Sequence, residues 1–366
     1  MGEGGDRPLS RRARGGAGRY AAGMAVRRVI VVRFGSVGDI VLAGGAVAAL
    51  REAWPDARVC FVTRAAFVDV AASLPGVDEV MAPGPAEGLR AFAARLAAGG
   101  LAGILDLHTS LRSWLLRFWL PRVPTGVWRR RSRWGDLLVR LTLRRMHSAM
   151  SVASRYHAAV EALVGGTVPR GRLGLKVGTP ALAAIEALLD RHGVPRGARR
   201  VVLVPGANWA TKRWPAERFA TLARRCLAEG VVPVVVGGPG EGALTAAVVS
   251  GAPGAIDLGE VVSLAELPAL LVGSSAVVAH DSGPMHMARA LRVPTLAVFG
   301  STDPAPFDFT GHAVHAAPPP CAPCHPYGRA RCPKGHMRCL LALPAEPAEP
   351  VLTALLGARR PDAPEG

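Results

Sequence analysis

Residues 276–300, AVVAHDSGPMHMARALRVPTLAVFG, decide the fold. A short apolar run, AVVA (276–279), stops at His280-Asp281-Ser282-Gly283, and a helical pattern follows at once. A second apolar run, PTLAVFG (294–300), comes soon after. Strand, glycine-containing turn, helix and strand form the unit that leaves main-chain N–H groups and a helix dipole where a phosphate can sit. Ser282 and Gly283 fall at the helix N-terminus, Pro284 suits its first turn, and His286 projects from it. Read alone, the same residues also describe an ordinary strand-to-helix turn with Ser282 as its cap.

The alternation repeats on both sides. RVIVVRF (28–34) is a continuous apolar run of the kind buried in a parallel sheet, and strand-like runs recur at 58–63, 77–82 and 101–107 with Ala-rich helical segments between them. After a Gly- and Pro-rich break at 165–180, a second series starts with VVLVP (201–205) and VVPVVVGG (231–238) and runs into the 276–300 unit, with helices expected near 215–229, 240–250 and 284–292. This pattern predicts an α/β chain of two Rossmann-like domains whose parallel sheets face a central cleft. At 366 residues the chain is too long for one ordinary core. We place the domains at 24–172 and 173–345, with a C-terminal helix and polar tail over 346–366. An Arg/Gly-rich extension over 1–23 reads as disordered or untranslated, because Met24 makes a natural start just ahead of the first strand.

Composition narrows the partners. The net charge is +17, and removing the five Arg and two acids of residues 1–23 still leaves +14, so the basicity belongs to the folded part. Such a charge suits an anionic partner. No stretch approaches a membrane-spanning length of apolar residues, and the N-terminus lacks the apolar segment of a secretory signal. Of 44 basic residues only Lys176, Lys212 and Lys334 are lysine, which makes the Lys beside Arg213 mildly informative.

Three further segments carry chemistry. GSVGD (35–39) follows the first strand and brings one carboxylate, Asp39, to the sheet's carboxyl edge on a mobile loop; otherwise Asp39 merely favours the start of a helix through its dipole. PGANWATKRWP (205–215) sets Thr211 and Lys212 just ahead of a helix opened by Pro215, where a hydroxyl and an ammonium suit a diphosphate. GGPGE (237–241) ends in Glu241, which can accept hydrogen bonds from a ribose or cap a helix.

Together, RVIVVRFGSVGDIVLAGGAVAAL (28–50), ANWATKRWPAERFATLA (207–223) and HDSGPMHMARALRVPTLAVFGSTDP (280–304) resemble the three signature regions of glycosyltransferase family 9, the lipopolysaccharide heptosyltransferases, in order and spacing. The resemblance runs from about Val26 to about Leu355. It implies a GT-B fold and inverting transfer of heptose from ADP-heptose to the inner core of lipopolysaccharide. It also implies a cytoplasmic enzyme, peripheral on the inner membrane, that needs no metal for catalysis. Asp39 then acts as general base. Thr211, Lys212, Glu241, Asp281, Ser282, Gly283 and His286 hold the donor. One departure is Gly45, where the family usually has Pro, and altered loop mobility is the expected consequence. Transfer of another sugar to a different surface glycan, or nucleotide-sugar binding without turnover, remain open beside this reading.

Two regions lie outside the motifs. Between 112 and 145 stand ten Arg and four of the seven Trp against a single acid, Asp136. We read this as an acceptor and anionic-membrane face carrying Arg112, Arg129, Arg130, Arg131 and Arg133, and not as a nucleic-acid surface. A pair of amphipathic helices with Arg facing water is the plainer account. The other region is Cys321-x2-Cys324-x7-Cys332-x6-Cys339, with His325 and His336 nearby. Four Cys opened by CxxC suit a tetrahedral structural zinc site, although the later spacings are not those of a zinc ribbon; reduced thiols packed in a loop are the other reading.

Overall fold

The computed structural model describes residues 28–128 and 151–357. The 1–23 extension, the end of the tail, and Arg129, Arg130, Arg131 and Arg133 lie outside the described residues.

The first unit runs β1 (Arg28–Val32), α1 (Val37–Ala53), β2 (Arg58–Val62), α2 (Val68–Ala72), β3 (Glu79–Met81), α3 (Leu89–Ala97), β4 (Gly103–Asp106), α4 (Leu111–Trp119), β5 (Thr125–Val127) and α5 (Val152–Val164). The second runs α6 (Thr179–Arg191), β6 (Arg200–Val204), α7 (Ala216–Ala228), β7 (Val232–Val236), α8 (Gly242–Ser250), β8 (Ile256–Gly259), α9 (Leu267–Val272), β9 (Ala276–His280), α10 (Gly283–Ala290), β10 (Thr295–Val298), β11 (Ala313–His315), α11 (Arg338–Leu341) and α12 (Ala348–Gly357). None of the described helices is long and apolar enough to cross a membrane.

Every pairing is parallel, and the strand orders are β3-β2-β1-β4-β5 and β8-β7-β6-β9-β10-β11. Each sheet therefore reverses direction of winding between its first strand and its fourth. The crevice above the carboxyl ends at that switch point is where such sheets bind ligands. In the first sheet the switch lies between β1 and β4, with Val32 opposite Asp106, and in the second between β6 and β9, with Val204 opposite Ala279. The central strands RVIVV and AVVAH are buried at every position, which accounts for their unbroken apolar runs. The two α/β domains and their sheets answer the expected architecture. The strands that sequence reading passes over, β5, β8 and β11, are three or four residues long and only partly buried.

Residues 166–178, without helix or strand, join the two sheets. This connection crosses α1 at the glycine that departs from the family pattern. A β-carbon at Gly45 would lie 3.3 Å from the Gly171 carbonyl oxygen, and one at Gly171 would fall 2.1 Å from that of Gly45. Helix α1 continues unbroken through Gly45, so the substitution serves a close crossing of two chain segments.

Candidate active site

Both switch points carry the residues singled out by sequence. After β1 the chain passes through Arg33 and turns into α1, with Ser36 as N-cap and Asp39 in the first turn. Asp39 thus sits on the helix and not on the mobile loop that GSVGD suggested. Its Oδ2 accepts from the Ser36 hydroxyl (3.1 Å) and main-chain N–H (3.3 Å), and from the Arg33 guanidinium. Arg33 is itself buried. Its other arm donates to the Leu107 carbonyl at 2.8 Å, and its guanidinium lies 5.7 Å from the Trp128 ring centre. Arg64 donates to the Phe34 carbonyl (2.7 Å), and Arg112 lies 5.2 Å over the Phe34 ring, so three arginines gather at the turn that precedes Asp39. His108, edge-on to Phe34, is pushed down to about 4 by burial, with Arg33 adding to the effect.

In the second domain Lys212 ends a 3-10 turn, and Pro215 is the N-cap of α7. Its ammonium donates to Oδ2 of Asp281 (2.6 Å) and to the Asp281 carbonyl (3.0 Å) in a largely buried pair. Asp281 Oδ1 is 3.8 Å from Nε2 of His286, whose Nδ1 is buried without a hydrogen-bond partner. Burial drives His286 down to about 4, so it is neutral near pH 7. The Ser282 hydroxyl donates to the His280 carbonyl (3.1 Å) and does not cap α10, which begins at Gly283 with Pro284 next. The first-turn N–H groups of α10 therefore receive no side-chain acceptor from the cap residue.

His280 is a structural partner that sequence reading did not single out. Its Nε2 accepts from the Trp214 main-chain N–H (2.8 Å) and its Nδ1 donates to the Gly206 carbonyl (3.1 Å), which fixes the tautomer. The TKRWP loop and the end of β9 are thereby tied together. Arg33 and Arg64 were passed over as well; an arginine ending an apolar strand, or one in a loop of an Arg-rich chain, gives no pattern to find.

The remaining predicted donor residues fall differently. Glu241 Oε2 accepts from the Gly238 N–H (2.8 Å), Oε1 stands 3.6 Å from Arg213, and the carboxylate occupies the space over Gly206 beside the β6 loop. Thr211 is buried, and its hydroxyl donates to the Arg329 carbonyl (3.0 Å) while accepting from the Arg329 N–H (2.8 Å) and the Ser301 hydroxyl (3.1 Å). That hydroxyl ties two protein segments together, its proton going to the Arg329 carbonyl and its lone pairs to the Arg329 N–H and the Ser301 hydroxyl.

The two switch points meet. A β-carbon at Gly38 would stand 2.6 Å from Cδ2 of His286, and one at Gly283 would stand 2.7 Å from the Val37 side chain. The N-termini of α1 and α10 thus rest on each other through paired glycines. Asp39, on α1 next to Gly38, is brought beside the Lys212–Asp281–His286 group.

The four cysteines Cys321, Cys324, Cys332 and Cys339 are free thiols around one cavity, but among the described residues no three or more His, Cys, Asp or Glu side chains converge closely enough to hold a metal ion. The assembled zinc cage that the spacing suggested is therefore not what the side chains form here. The Cys332 thiol is held below its ordinary value by main-chain N–H groups, that of Met337 first and those of Lys334, Gly335 and His336 after it.

Known proteins share this layout. The sequence pattern of Glycosyltransferase family 9 (heptosyltransferase) matches residues 89–327. Lipopolysaccharide heptosyltransferase 1 of Pseudomonas aeruginosa is 38% identical over 134 residues, 35% of this chain and 37% of that protein. Lipopolysaccharide heptosyltransferase 2 of Escherichia coli K12 is 33% identical over 119 residues, 31% of this chain and 33% of that protein. The chain thus aligns with about a third of the length of these relatives. A glycosyltransferase family 9 structure from Veillonella parvula superposes with a TM-score of 0.74 at 20% identity, covering 90% of this chain and 97% of the other. The E. coli ADP-heptose lps heptosyltransferase II superposes with a TM-score of 0.69 at 20% identity, covering 90% and 98%. At such identities the likeness shows the fold, the two-domain GT-B arrangement. The family match spans well over half the residues, and the chain belongs to glycosyltransferase family 9, the heptosyltransferase family.

Proposed function

We propose that this chain is an inverting glycosyltransferase that moves heptose from ADP-heptose to the inner core of lipopolysaccharide. The observation that carries the reading is the meeting of Asp39 with the Lys212–Asp281–His286 group where α1 and α10 touch. One side offers a carboxylate, the other a cation and a helix N-terminus. The sugar and acceptor follow the names of the relatives.

The chemistry divides between the domains. Every hydrogen bond given to Asp39 reaches Oδ2, so Oδ1 can take the proton of the acceptor hydroxyl. The freed oxygen bonds the anomeric carbon from the face opposite the nucleotide. The bond from that carbon to the diphosphate oxygen breaks, and its electron pair leaves on ADP. Lys212, drawn from Asp281, and the first-turn N–H groups of α10 neutralise the growing charge. His286, neutral through burial, donates a hydrogen bond to the diphosphate and brings no counter-charge. On this reading catalysis needs no metal ion, because ammonium and helix terminus supply the positive potential.

Arg33, Arg64 and Arg112 suit an acceptor rich in phosphate and carboxylate. Helix α4 suits an anionic inner-membrane surface, because it exposes Leu111 (72%), Trp114 (53%) and Phe118 (65%) along one side. An enzyme peripheral on the cytoplasmic face of that membrane would meet its acceptor there.

The test is ADP release by the purified protein with ADP-heptose and a panel of inner-core acceptors. Acceptor-dependent release supports the proposal. Release only with a different nucleotide sugar overturns the choice of heptose, and binding without release from any donor overturns the enzyme reading.

A further inference from the structure

Building on the transferase reading above, on which this rests, we propose that His108 binds an uncharged hydroxyl of the acceptor sugar beside the one that attacks. It thereby selects which hydroxyl reaches Asp39. The residue stands in the turn after β4, DLHTS (105–110 with its leading Leu105 as LDLHTS), outside the three signature segments.

The turn is built to hold one side chain in place. The Leu107 N–H donates to the Val32 carbonyl (3.0 Å), and the Leu107 carbonyl accepts from Arg33 (2.8 Å). His108 therefore follows directly on the switch point of the first sheet, beside the arginine that holds Asp39. Asp106 is fully buried. One of its oxygens accepts from the main-chain N–H groups of His108 and Thr109, both at 3.0 Å, and the other faces Arg117 Nε at 3.0 Å. Thr109 is held at φ +48°, a left-handed conformation unfavourable for a β-branched residue. Ser110 then caps α4 at once. A buried carboxylate and a strained backbone together fix the direction in which His108 leaves the chain.

The surroundings of the ring decide what it can bind. Phe34 is the hub: His108 meets its ring edge-on at 5.4 Å, the Arg112 guanidinium lies 5.2 Å from its centre, and Arg64 donates to its carbonyl at 2.7 Å. Nδ1 of His108 is enclosed with no hydrogen-bond partner, although the residue as a whole is only part-buried. Among the described residues Nε2 has no partner either. A polar side chain held this firmly is ordinarily satisfied by the protein. Here Nε2 is left for a ligand. The arginines supply the charge that a phosphate or carboxylate needs, and the imidazole, neutral near pH 7 through burial, adds none. It suits a hydroxyl, which both donates and accepts and so pairs with either tautomer. An anionic group on Arg64 and Arg112, one hydroxyl on His108 and the next on Asp39 make three contacts, enough to fix how a sugar ring lies.

The experiment uses the full chain with ADP-heptose, the de-acylated inner-core saccharide and mono-deoxy analogues of that saccharide. His108→Phe keeps the aromatic contact with Phe34 and removes the hydrogen bond. Its kcat/KM for the saccharide should fall roughly 10–100-fold, with KM for ADP-heptose and Tm unchanged. His108→Gln, whose amide reaches the position of Nε2, should recover most of that loss. One analogue, lacking a hydroxyl next to the attacked carbon, should be as poor for the wild type as the parent saccharide is for His108→Phe. The Phe variant should not distinguish that analogue from the parent. In protein carrying ¹⁵N-labelled histidine, the imidazole signal missing from His108→Phe should move when the saccharide alone is added and stay in place with ADP alone. A deoxy series ranked identically by wild type and variant overturns the proposal, as does an unmoved imidazole signal. Where His108→Phe does not fold, His108→Gln assigns the signal and the titration decides. If the wild type releases no ADP with any acceptor, the transferase reading falls. The titration needs no turnover and judges His108 by itself.

Discussion

Gly38 and His286 touch across the two domains: a β-carbon at Gly38 would stand 2.6 Å from the imidazole Cδ2. His286 is buried and bounded by Asp281 and Phe307, so it has little freedom to retreat. Gly38→Ala should therefore push α1 off α10 and separate Asp39 from the donor group. We expect a loss of about 1–3 kcal/mol in stability from overpacking. The drop in kcat should be larger than for Gly88→Ala, whose added carbon meets nothing. Calorimetry and ADP-release kinetics on the two variants check this, and equal kcat values would refute the contact's role.

The Lys212–Asp281 pair predicts opposite outcomes for its two members. Lys212→Ala removes a charge-assisted contact to the diphosphate and should weaken ADP binding by roughly 10–100-fold. It also leaves Asp281 buried and unpaired, which should lower Tm. Asp281→Asn removes a negative charge from beside the nucleotide, so ADP affinity should not fall even though stability does. Titration calorimetry with ADP measures both. Unchanged ADP affinity in Lys212→Ala would remove Lys212 from the donor site.

Asp39→Asn preserves size and the hydrogen bonds from Ser36 but cannot accept a proton. Its kcat should fall by roughly 10²–10⁴-fold with ADP affinity unchanged. Arg33→Met should lower kcat less, because Arg33 holds Oδ2 and takes no part in proton transfer. Steady-state kinetics on both variants separates a base from its holder, and near-normal turnover in Asp39→Asn would end the assignment.

These roles were unevenly legible in the sequence. Lys212, Asp281, Gly283 and His286 stand in short motifs that follow buried strands, and the alternation of apolar runs marks those strands, so their convergence at two switch points could be anticipated. Asp39 was found, but its place on helix or loop turned on one residue of cap geometry at Ser36. Thr211 shows a limit: its position beside Lys212 suggested a ligand contact, while its hydroxyl is taken by Arg329, 118 residues away. No local pattern predicts such a partner. The short edge strands β5, β8 and β11 escaped for a similar reason, since their pairing depends on a neighbour already in place.

Stability should fall on mild acidification. His280 and His286 are fully enclosed and are driven from 6.5 down to about 4 by burial. Between those values the unfolded chain binds protons that the folded chain does not, so stability rises with pH across this window and is lost as pH falls through it. His108 and His312, also brought down to about 4, act in the same direction. Thermal melts should show Tm declining from pH 7 to pH 4.5, ahead of most carboxylate titration. A flat profile over that range would mean these imidazoles are solvated.

Helix α4 carries the last prediction. Leu111, Trp114, Phe118 and Trp119 recur at helical spacing on its outer side, while Ser113 and Leu116 face inward. Trp114 stacks on Phe118 with ring centres 6.0 Å apart, and Arg90 lies 5.0 Å over Trp119. Arg112 and Arg122 flank the stripe, and Arg129, Arg130, Arg131 and Arg133 follow in sequence. Aromatic rings beside arginines combine shallow insertion with attraction to anionic headgroups, the latter about 1 kcal/mol per basic residue near the surface. The combined variant Leu111→Ser, Trp114→Ser, Phe118→Ser should lose most binding to vesicles containing phosphatidylglycerol, and wild-type binding should weaken steeply with salt. Activity on a water-soluble acceptor should be retained, because these three side chains are exposed on α4, while Asp39 lies on α1 and Lys212 just ahead of α7. Vesicle binding by the variant equal to wild type would leave α4 without a membrane role. Equal loss of activity on soluble and vesicle-borne acceptors would move the stripe into the acceptor site.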